Sequence, residues 1–70
     1  MKTDFDTRRR LLDTAAQLFS QRGFKNVTVR DLCDEANANV AAVNYHFGSK
    51  DGLYLAVVEL AVDAMTGRSR

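Results

Sequence analysis

The apolar positions of the chain group into four helical segments. From Thr7 to Arg22 they recur at spacings of three and four residues, which predicts an amphipathic helix. Gly23 follows at the place where a helix-ending residue with positive φ is favoured. The next residue, Phe24, is expected to fold back onto the core. No stretch alternates between apolar and polar residues for long enough to predict a strand.

The second helix is predicted to begin after Thr28. The segment from Thr28 to Asp31 has the form of a capping box, with Asp in place of the usual Glu. The apolar stripe of this helix consists of Val29, Leu32, Cys33 and Ala36. A tight turn should follow, because Asn37 tolerates the left-handed conformation and Asn39 can cap another helix.

The third helix is predicted from Val40 to Phe47, with Gly48 ending it. Its core face is expected at positions i, i+3 and i+7, which are Val40, Val43 and Phe47. The opposite side should carry Ala41, Ala42 and Tyr45, with Asn44 at its edge. Val40 lies in the first turn, where it is ambiguous between the core and a binding surface. Ser49 is expected to cap a fourth helix from Lys50 to about Thr66.

The fourth helix is apolar on two nearly opposite sides. One stripe is expected to cover the first three helices and consists of Leu53, Val57, Leu60, Ala61 and Ala64. The second stripe consists of Leu55, Val58, Val62 and Met65. Three small helices cannot bury both stripes, so we expect the second to pack on a C-terminal domain or another subunit.

The second and third helices, with the short turn between them, have the layout of a helix-turn-helix.

Composition restricts the class of protein. The 70 residues make one small domain at most, and 46% hydrophobic with 27% charged residues is typical of a globular chain. One cysteine cannot form an internal disulfide, and the charged start lacks the apolar segment of a signal peptide. We therefore expect a cytoplasmic protein without a membrane partner. The net charge of +1 is low for a nucleic-acid binder, so that role depends on where the charges lie.

The segment from Thr28 to Leu53, TVRDLCDEANANVAAVNYHFGSKDGL, resembles the TetR family of bacterial transcriptional repressors. Several residues stand where the family pattern expects them: Thr28, Leu32, Ala36, Val43, His46, Phe47, Ser49, Lys50 and Leu53. The first helix, with its paired alanines and its Gly-Phe end, resembles the opening of the family pattern. The chain departs from the family in the turn, where Asn37-Ala38-Asn39 replaces Gly-Val-Ser, and at Ala41, where the family has Gly.

The resemblance implies an all-α fold: a three-helix, homeodomain-like helix-turn-helix bundle with a long fourth helix. It divides the chain into a DNA-binding domain at 1–49 and a connecting helix with a frayed end at 50–70. Family members continue into a C-terminal helical domain that binds a small-molecule effector and dimerises. We therefore expect double-stranded operator DNA as the partner of this chain, which we interpret as an isolated DNA-binding fragment. The homodimer and the effector are expected for the full-length protein only.

The resemblance also implies which residues contact DNA. Base contacts are expected from the third helix, at Val40, Ala41, Ala42 and Asn44. Phosphate contacts are expected at helix starts and ends, from Thr28, Arg30, Asn39, Tyr45, His46, Ser49 and Lys50. Some of these residues have a simpler alternative: the small residues of the third helix can merely pack well, Thr28 can merely cap a helix, Arg30 can be a solvated side chain and His46 can be structural. The run from Arg8 to Arg10 is typical of a solvated face, although it lies near enough to a helix start to reach a flanking phosphate.

Two other classes of function compete with DNA binding. A helical protein–protein interaction module would use the apolar fourth helix as its working surface. An enzyme would have to use His46 with Cys33, which lie on different helices, and Cys33 is expected to be a buried core thiol. One Cys and one His without further ligands predict no metal site, and no cofactor is expected.

Overall fold

The computed structural model describes residues 3–66, and these residues form an all-α fold without a strand. The α-helices are α1 (Thr3–Arg22), α2 (Val29–Ala36), α3 (Val40–Phe47) and α4 (Lys50–Thr66). A short 3₁₀ turn, Phe24–Asn26, joins α1 to α2. None of these helices is long and apolar enough to cross a membrane. The end from Gly67 to Arg70, which was expected to be frayed, lies outside the described residues.

The first helix begins earlier than its apolar pattern predicted. It starts at Thr3 rather than Thr7, because helix formation continues past the last core position wherever no breaker intervenes. Asp6 also places a negative charge near the positive end of the helix. At the other end, Gly23 has a φ of 88°, and its N–H donates to the carbonyl of Phe19. The positive φ expected there is confirmed.

The 3₁₀ turn after Gly23 was not predicted. The amide N–H of Asn26 donates to the carbonyl of Gly23, and its side-chain amide donates to the carbonyl of Arg22 at 2.8 Å. The turn brings Phe24 against α1 and α4. The centre of its ring lies 5.5 Å from that of Phe19 in α1 and 4.9 Å from that of Tyr54 in α4. Phe24 therefore folds back onto the core, as the sequence indicated.

The capping box at the start of α2 is confirmed. The hydroxyl of Thr28 accepts the backbone N–H of Asp31 at 3.0 Å, and the Asp31 carboxylate accepts the backbone N–H of Thr28 at 3.1 Å. Arg22, in the last turn of α1, donates to the same carboxylate at 3.1 Å. Asp31 thus joins the start of α2 to the end of α1.

The capping box makes the stability of the chain depend on pH. The hydrogen bonds from Thr28, the largest cause, and the charge of Arg22 lower the pKa of Asp31 below its usual 3.8. The ionised Asp31 carboxylate therefore contributes fully to the free energy of unfolding above the pKa that it has in the unfolded chain. This contribution is lost as pH falls through its lower pKa in the folded chain. We expect the free energy of unfolding to fall in that acidic range, and Asp31→Asn to reduce the fall.

Urea unfolding at a series of acidic pH values measures this effect. Asp34→Asn is the matched control, because it removes the same charge from an exposed position of the same helix. Equal changes in the pH dependence of the two variants would show that the capping box is not its source.

The turn and the third helix follow their predictions closely. Asn37 adopts the left-handed conformation with φ 57° and ψ 49°, and the side-chain oxygen of Asn39 accepts the N–H of Ala42 at 3.0 Å. Helix α3 has the predicted bounds. It ends at Gly48, whose φ of 83° is favourable for glycine and costly for other residues.

The core consists of two adjoining clusters of buried side chains. The first contains Leu12, Ala15, Leu18, Phe19, Val27, Leu32 and Leu53. The second contains Leu11, Cys33, Ala36 and Val43. Phe47, which was expected in the core, is half-buried and packs against both clusters. The clusters therefore hold the inner face and the C-terminal end of α3.

Only the first part of the core-facing stripe of α4 is buried, which corrects the prediction for this helix. Leu53 is fully buried and Val57 is half-buried, but Leu60 is 46% exposed. Ala61 and Ala64 are exposed as well. Leu60 lies across an open groove from Phe5 and Leu12, so α1 runs beside this part of α4 without covering its side chains. The second stripe is exposed as expected, at Leu55, Val58, Val62 and Met65.

Candidate nucleic-acid interface

The outward face of α3 is the candidate surface for reading bases. Ala41 and Asn44 are exposed on it, Tyr45 is 75% exposed, and Val43 on the opposite side is fully buried. Because the buried side anchors the helix, the outward side chains are presented on a rigid element.

The structure resolves the ambiguity at Val40 and corrects the expectation for Ala42. Val40, which was grouped with the core face, is 51% exposed and joins the outward face. Ala42, which was expected on the outward face, is half-buried and packs against the second core cluster. Which side of α3 faces the core depends on how it packs against α1, α2 and α4, and the apolar pattern of an eight-residue helix does not determine it.

The rings of three successive residues contact one another at the end of α3. Tyr45 and His46 meet edge to face with centroids 4.9 Å apart, and His46 lies 6.1 Å from Phe47. His46 is half-buried between an exposed phenol and a half-buried ring. The phenol of Tyr45 is therefore held in a position from which its O–H can reach outside the protein.

Each of the three capping residues retains a donor group for a ligand. Thr28 and Ser49 accept backbone N–H groups through their hydroxyl oxygens, and Asn39 accepts one through its amide oxygen. A hydroxyl that accepts a hydrogen bond still carries its own proton, and the Asn side chain still has its NH₂ group. All three residues are exposed, so capping a helix and donating to a phosphate are compatible roles.

Lys50 connects the start of α4 to the start of α2. Its ammonium donates to the carbonyl of Phe24 at 2.8 Å and to that of Val27 at 2.7 Å. It also lies 4.2 Å from the centre of the Phe24 ring. Because Val27 directly precedes Thr28, the positive ends of α2 and α4 are neighbours. The phosphate contact expected of Lys50 stays a prediction, and its carbonyl contacts were not foreseen.

The three consecutive arginines of α1 have three different environments. Arg8 lies over the ring of Phe47 with 5.1 Å to its centre, and Arg9 pairs with Asp13 at 3.3 Å on the exposed surface. Arg10 crosses to the other end of α2, where it donates to the carbonyls of Ala36 at 3.0 Å and Asn37 at 3.4 Å. Arg30, on α2 itself, is exposed.

The contacts of Arg10 and Lys50 left no signal in the sequence pattern. Arg10 is 26 residues from Ala36, and Lys50 is 26 residues from Phe24. Periodicity and capping motifs concern residues within about one helical turn, whereas these contacts depend on how the helices pack.

Cys33 does not have the environment of a reactive thiol. It is 5% exposed in the second core cluster, and burial, reinforced by the nearby Asp34 carboxylate, raises the pKa of its thiol. The thiolate form that nucleophilic chemistry needs is therefore disfavoured. This weakens the hypothesis of an enzyme that uses Cys33 with His46.

Comparison with known proteins agrees with this geometry. Residues 11–57, more than half of the chain, match the model of the family described as bacterial regulatory proteins, tetR family. A probable HTH-type transcriptional regulator, YttP, from Bacillus subtilis (strain 168) is 38% identical over 67% of this chain. The HTH-type transcriptional repressor KstR2 from Rhodococcus jostii (strain RHA1) is 36% identical over 90% of this chain. The HTH-type transcriptional dual regulator CecR from Shigella flexneri is 38% identical over 80% of it.

The similarity covers only part of these relatives. The chain spans 23% of YttP, 31% of KstR2 and 25% of CecR. The matched region includes α2, α3 and the first turns of α4, where the candidate interface lies.

Proposed function

Because the chain belongs to the tetR family of bacterial regulatory proteins, we propose that it binds operator DNA sequence-specifically through α3. Residues 1–49 would make up the DNA-binding domain and residues 50–70 the connecting helix. The observation that carries the proposal is the outward face of α3, where small and polar side chains are held on a helix whose inner face is buried. A helix of this kind fits the major groove.

Base recognition is assigned to Asn44, Ala41 and Val40, with Ala42 at the inner edge of the surface. An Asn side chain can form a bidentate pair with adenine, and small apolar side chains can contact a thymine methyl group. The exposure of Val40 and Asn44 supports these roles, and the half-burial of Ala42 makes it the weakest member of the set.

Phosphate binding is assigned to side chains at helix ends. Thr28, Asn39 and Ser49 have donors beside free backbone N–H groups, and the positive ends of α2 and α4 are neighbours. Tyr45, His46 and Arg30 complete the proposed set. The ammonium of Lys50 is engaged by the carbonyls of Phe24 and Val27, so Lys50 is not assigned a phosphate here. The low net charge does not oppose this assignment, because the helix ends contribute partial positive charge that the side-chain count omits.

The proposal also covers how the full-length protein regulates transcription. We infer that the full-length protein is a dimeric repressor that a small-molecule effector releases from DNA. The names of relatives support repression, since KstR2 is a repressor and IcaR of Staphylococcus aureus is a negative regulator of a biofilm operon. The exposed second stripe of α4 supports a further domain or subunit packed against it.

Replacing Asn44 tests the base-reading role. Sequences bound by the wild-type chain are first selected from a random DNA pool, and the selection is repeated with Asn44→Ala. We expect the preference at one base pair of each half-site to weaken by about 5- to 150-fold, which corresponds to the ~1–3 kcal/mol of a bidentate pair.

Gln17→Ala, at an exposed position of α1, is the control and should select the same sequences as wild type. An unchanged base preference in the Asn44 variant would remove Asn44 from the recognition surface.

A protein–protein interaction module is the second candidate. It is favoured by the exposed apolar residues of α4, which are Leu55, Val58, Leu60, Val62 and Met65. The two functions differ in their dependence on salt. Affinity for DNA should fall steeply as salt concentration rises, whereas an apolar contact through α4 should not weaken. An affinity for DNA that is constant across salt concentrations would favour the interaction module.

A further inference from the structure

Helix α2 is held at both ends by cations from other helices. At its start, the ammonium of Lys50 from α4 donates to the carbonyls of Phe24 and Val27. At its end, the guanidinium of Arg10 from α1 donates to the carbonyls of Ala36 and Asn37. Each cation therefore bridges two backbone carbonyls. All four carbonyls lie outside the helix that supplies the cation.

The position of Lys50 is explained by its carbonyl partners and not by the helix dipoles. A cation at the first position of α4 and beside the start of α2 lies near two positive helix ends, which is electrostatically unfavourable. Hydrogen bonds from a charged donor to two carbonyls, with the ring of Phe24 beside the ammonium, offset that cost. Two of the three N–H donors of Lys50 are thus engaged within the protein.

The positive charge of Arg10 suits the C-terminal end of α2. The last carbonyls of a helix lack partners within the helix, and a cation there also suits the negative end of the dipole. The carbonyl of Asn37 belongs to the left-handed residue of the turn, so Arg10 contacts the residues that set the direction of the chain into α3.

We propose that Lys50 and Arg10 are positioning residues of the DNA-binding surface. Together they fix both ends of α2, an eight-residue helix, and so hold Thr28 and the turn before α3 in a constant relation to the outward face of α3. The proposal rests on the proposed DNA-binding function. It assigns to Lys50 a role within the protein that differs from the direct phosphate contact expected from the family resemblance.

The test compares Lys50→Met and Arg10→Met with two matched controls. Lys25→Met removes the same charge from the exposed 3₁₀ turn, and Arg9→Met removes it from the neighbouring exposed position of α1. Amide hydrogen exchange is measured on each chain without DNA. We expect α2 amides to exchange about tenfold faster in the two test variants, because each variant loses both hydrogen bonds that its cation makes at an end of α2. Wild-type rates are expected in the controls.

The second readout is the salt dependence of affinity for a selected DNA duplex. Loss of a direct phosphate contact lowers the slope of log affinity against log salt by about 0.9, whereas loss of positioning lowers affinity at every salt concentration with little change in slope. We expect about fivefold or greater weakening with the wild-type slope for both test variants. A slope reduced by about 0.9 together with unchanged α2 exchange would overturn the proposal for that residue.

A measurement on the wild-type chain keeps the proposal testable if a variant fails to fold. The ammonium of Lys50 should give a nitrogen-15 NMR signal protected from exchange with water in the free chain, unlike that of Lys25. An equally unprotected Lys50 ammonium would contradict the carbonyl contacts. If the wild-type chain binds no DNA at all, the proposed function fails, and the exchange data still decide whether the cations hold α2.

Discussion

The Leu53→Ala chain is expected to lose most of its folded population at room temperature. Leu53 is fully buried, and it carries α4 into the first core cluster beside residues of α1 and α2. Truncating a buried Leu to Ala costs about 2–5 kcal/mol through lost transfer free energy and the cavity left behind. The core of a chain this short supplies only about 3–5 kcal/mol of net stability. The loss is therefore comparable with the whole free energy of unfolding.

Urea unfolding followed by far-ultraviolet circular dichroism measures the effect. Leu55→Ala is the matched control, because it makes the same change two residues along α4 at a position that is 63% exposed. The control should differ from wild type by no more than about 0.5 kcal/mol. Similar losses in the two variants would mean that α4 does not pack through the face described.

Gly52→Ala is expected to destabilise the chain by about 1–3 kcal/mol, although helix propensity alone predicts the opposite sign. Gly52 lies in the first turn of α4, where Ala is favoured over Gly by about 1 kcal/mol. However, a Cβ atom placed on Gly52 would overlap the carbonyl oxygen of Phe47, which belongs to the backbone at the end of α3. Relief of that clash requires α3 and α4 to separate, so the steric cost exceeds the gain in propensity.

The prediction is tested by whether Gly52→Ala lowers or raises the stability of the chain. Gly48→Ala is a useful comparison, because its added methyl group meets nothing within 4 Å and its cost comes from the positive φ of 83°. Thermal unfolding gives the stability of both variants, and amide chemical shifts show whether the backbone near Phe47 has moved. A more stable Gly52→Ala chain with unchanged shifts at Phe47 would mean that the α3–α4 junction has room for a side chain.

Local signals predicted the helix ends well. The Thr28–Asp31 capping box, the left-handed Asn37 and the Asn39 cap were all confirmed, because each depends on residues within four positions of one another. The bounds of α3 were predicted for the same reason, since Asn39 and Gly48 specify both of its ends. The order of the helices predicted the helix-turn-helix arrangement, and the family resemblance agreed with it. The match to residues 11–57 confirms the family.

Features that depend on packing between helices were predicted poorly. The apolar pattern of α4 showed two stripes but not how closely α1 packs against each turn of α4, so the exposure of Leu60 was missed. The side of α3 that faces the core was predicted only in part, since Val40 was left ambiguous and Ala42 was expected to face outward but is half-buried. The contacts of Lys50 and Arg10 with the ends of α2 join segments more than twenty residues apart. The pattern of apolar and polar positions does not indicate which distant backbone groups these long side chains contact.

The placement of the two tyrosines makes the chain's own fluorescence informative. The sequence contains no tryptophan, so tyrosine emission is not masked. Tyr45 lies on the outward face of α3, whereas Tyr54 packs against the rings of Phe19 and Phe24. A bound duplex would therefore quench the first phenol, and detachment of α4 would change the second. Replacing either tyrosine with phenylalanine leaves an unlabelled chain that reports on a single event, either contact at the groove or integrity of the helical core.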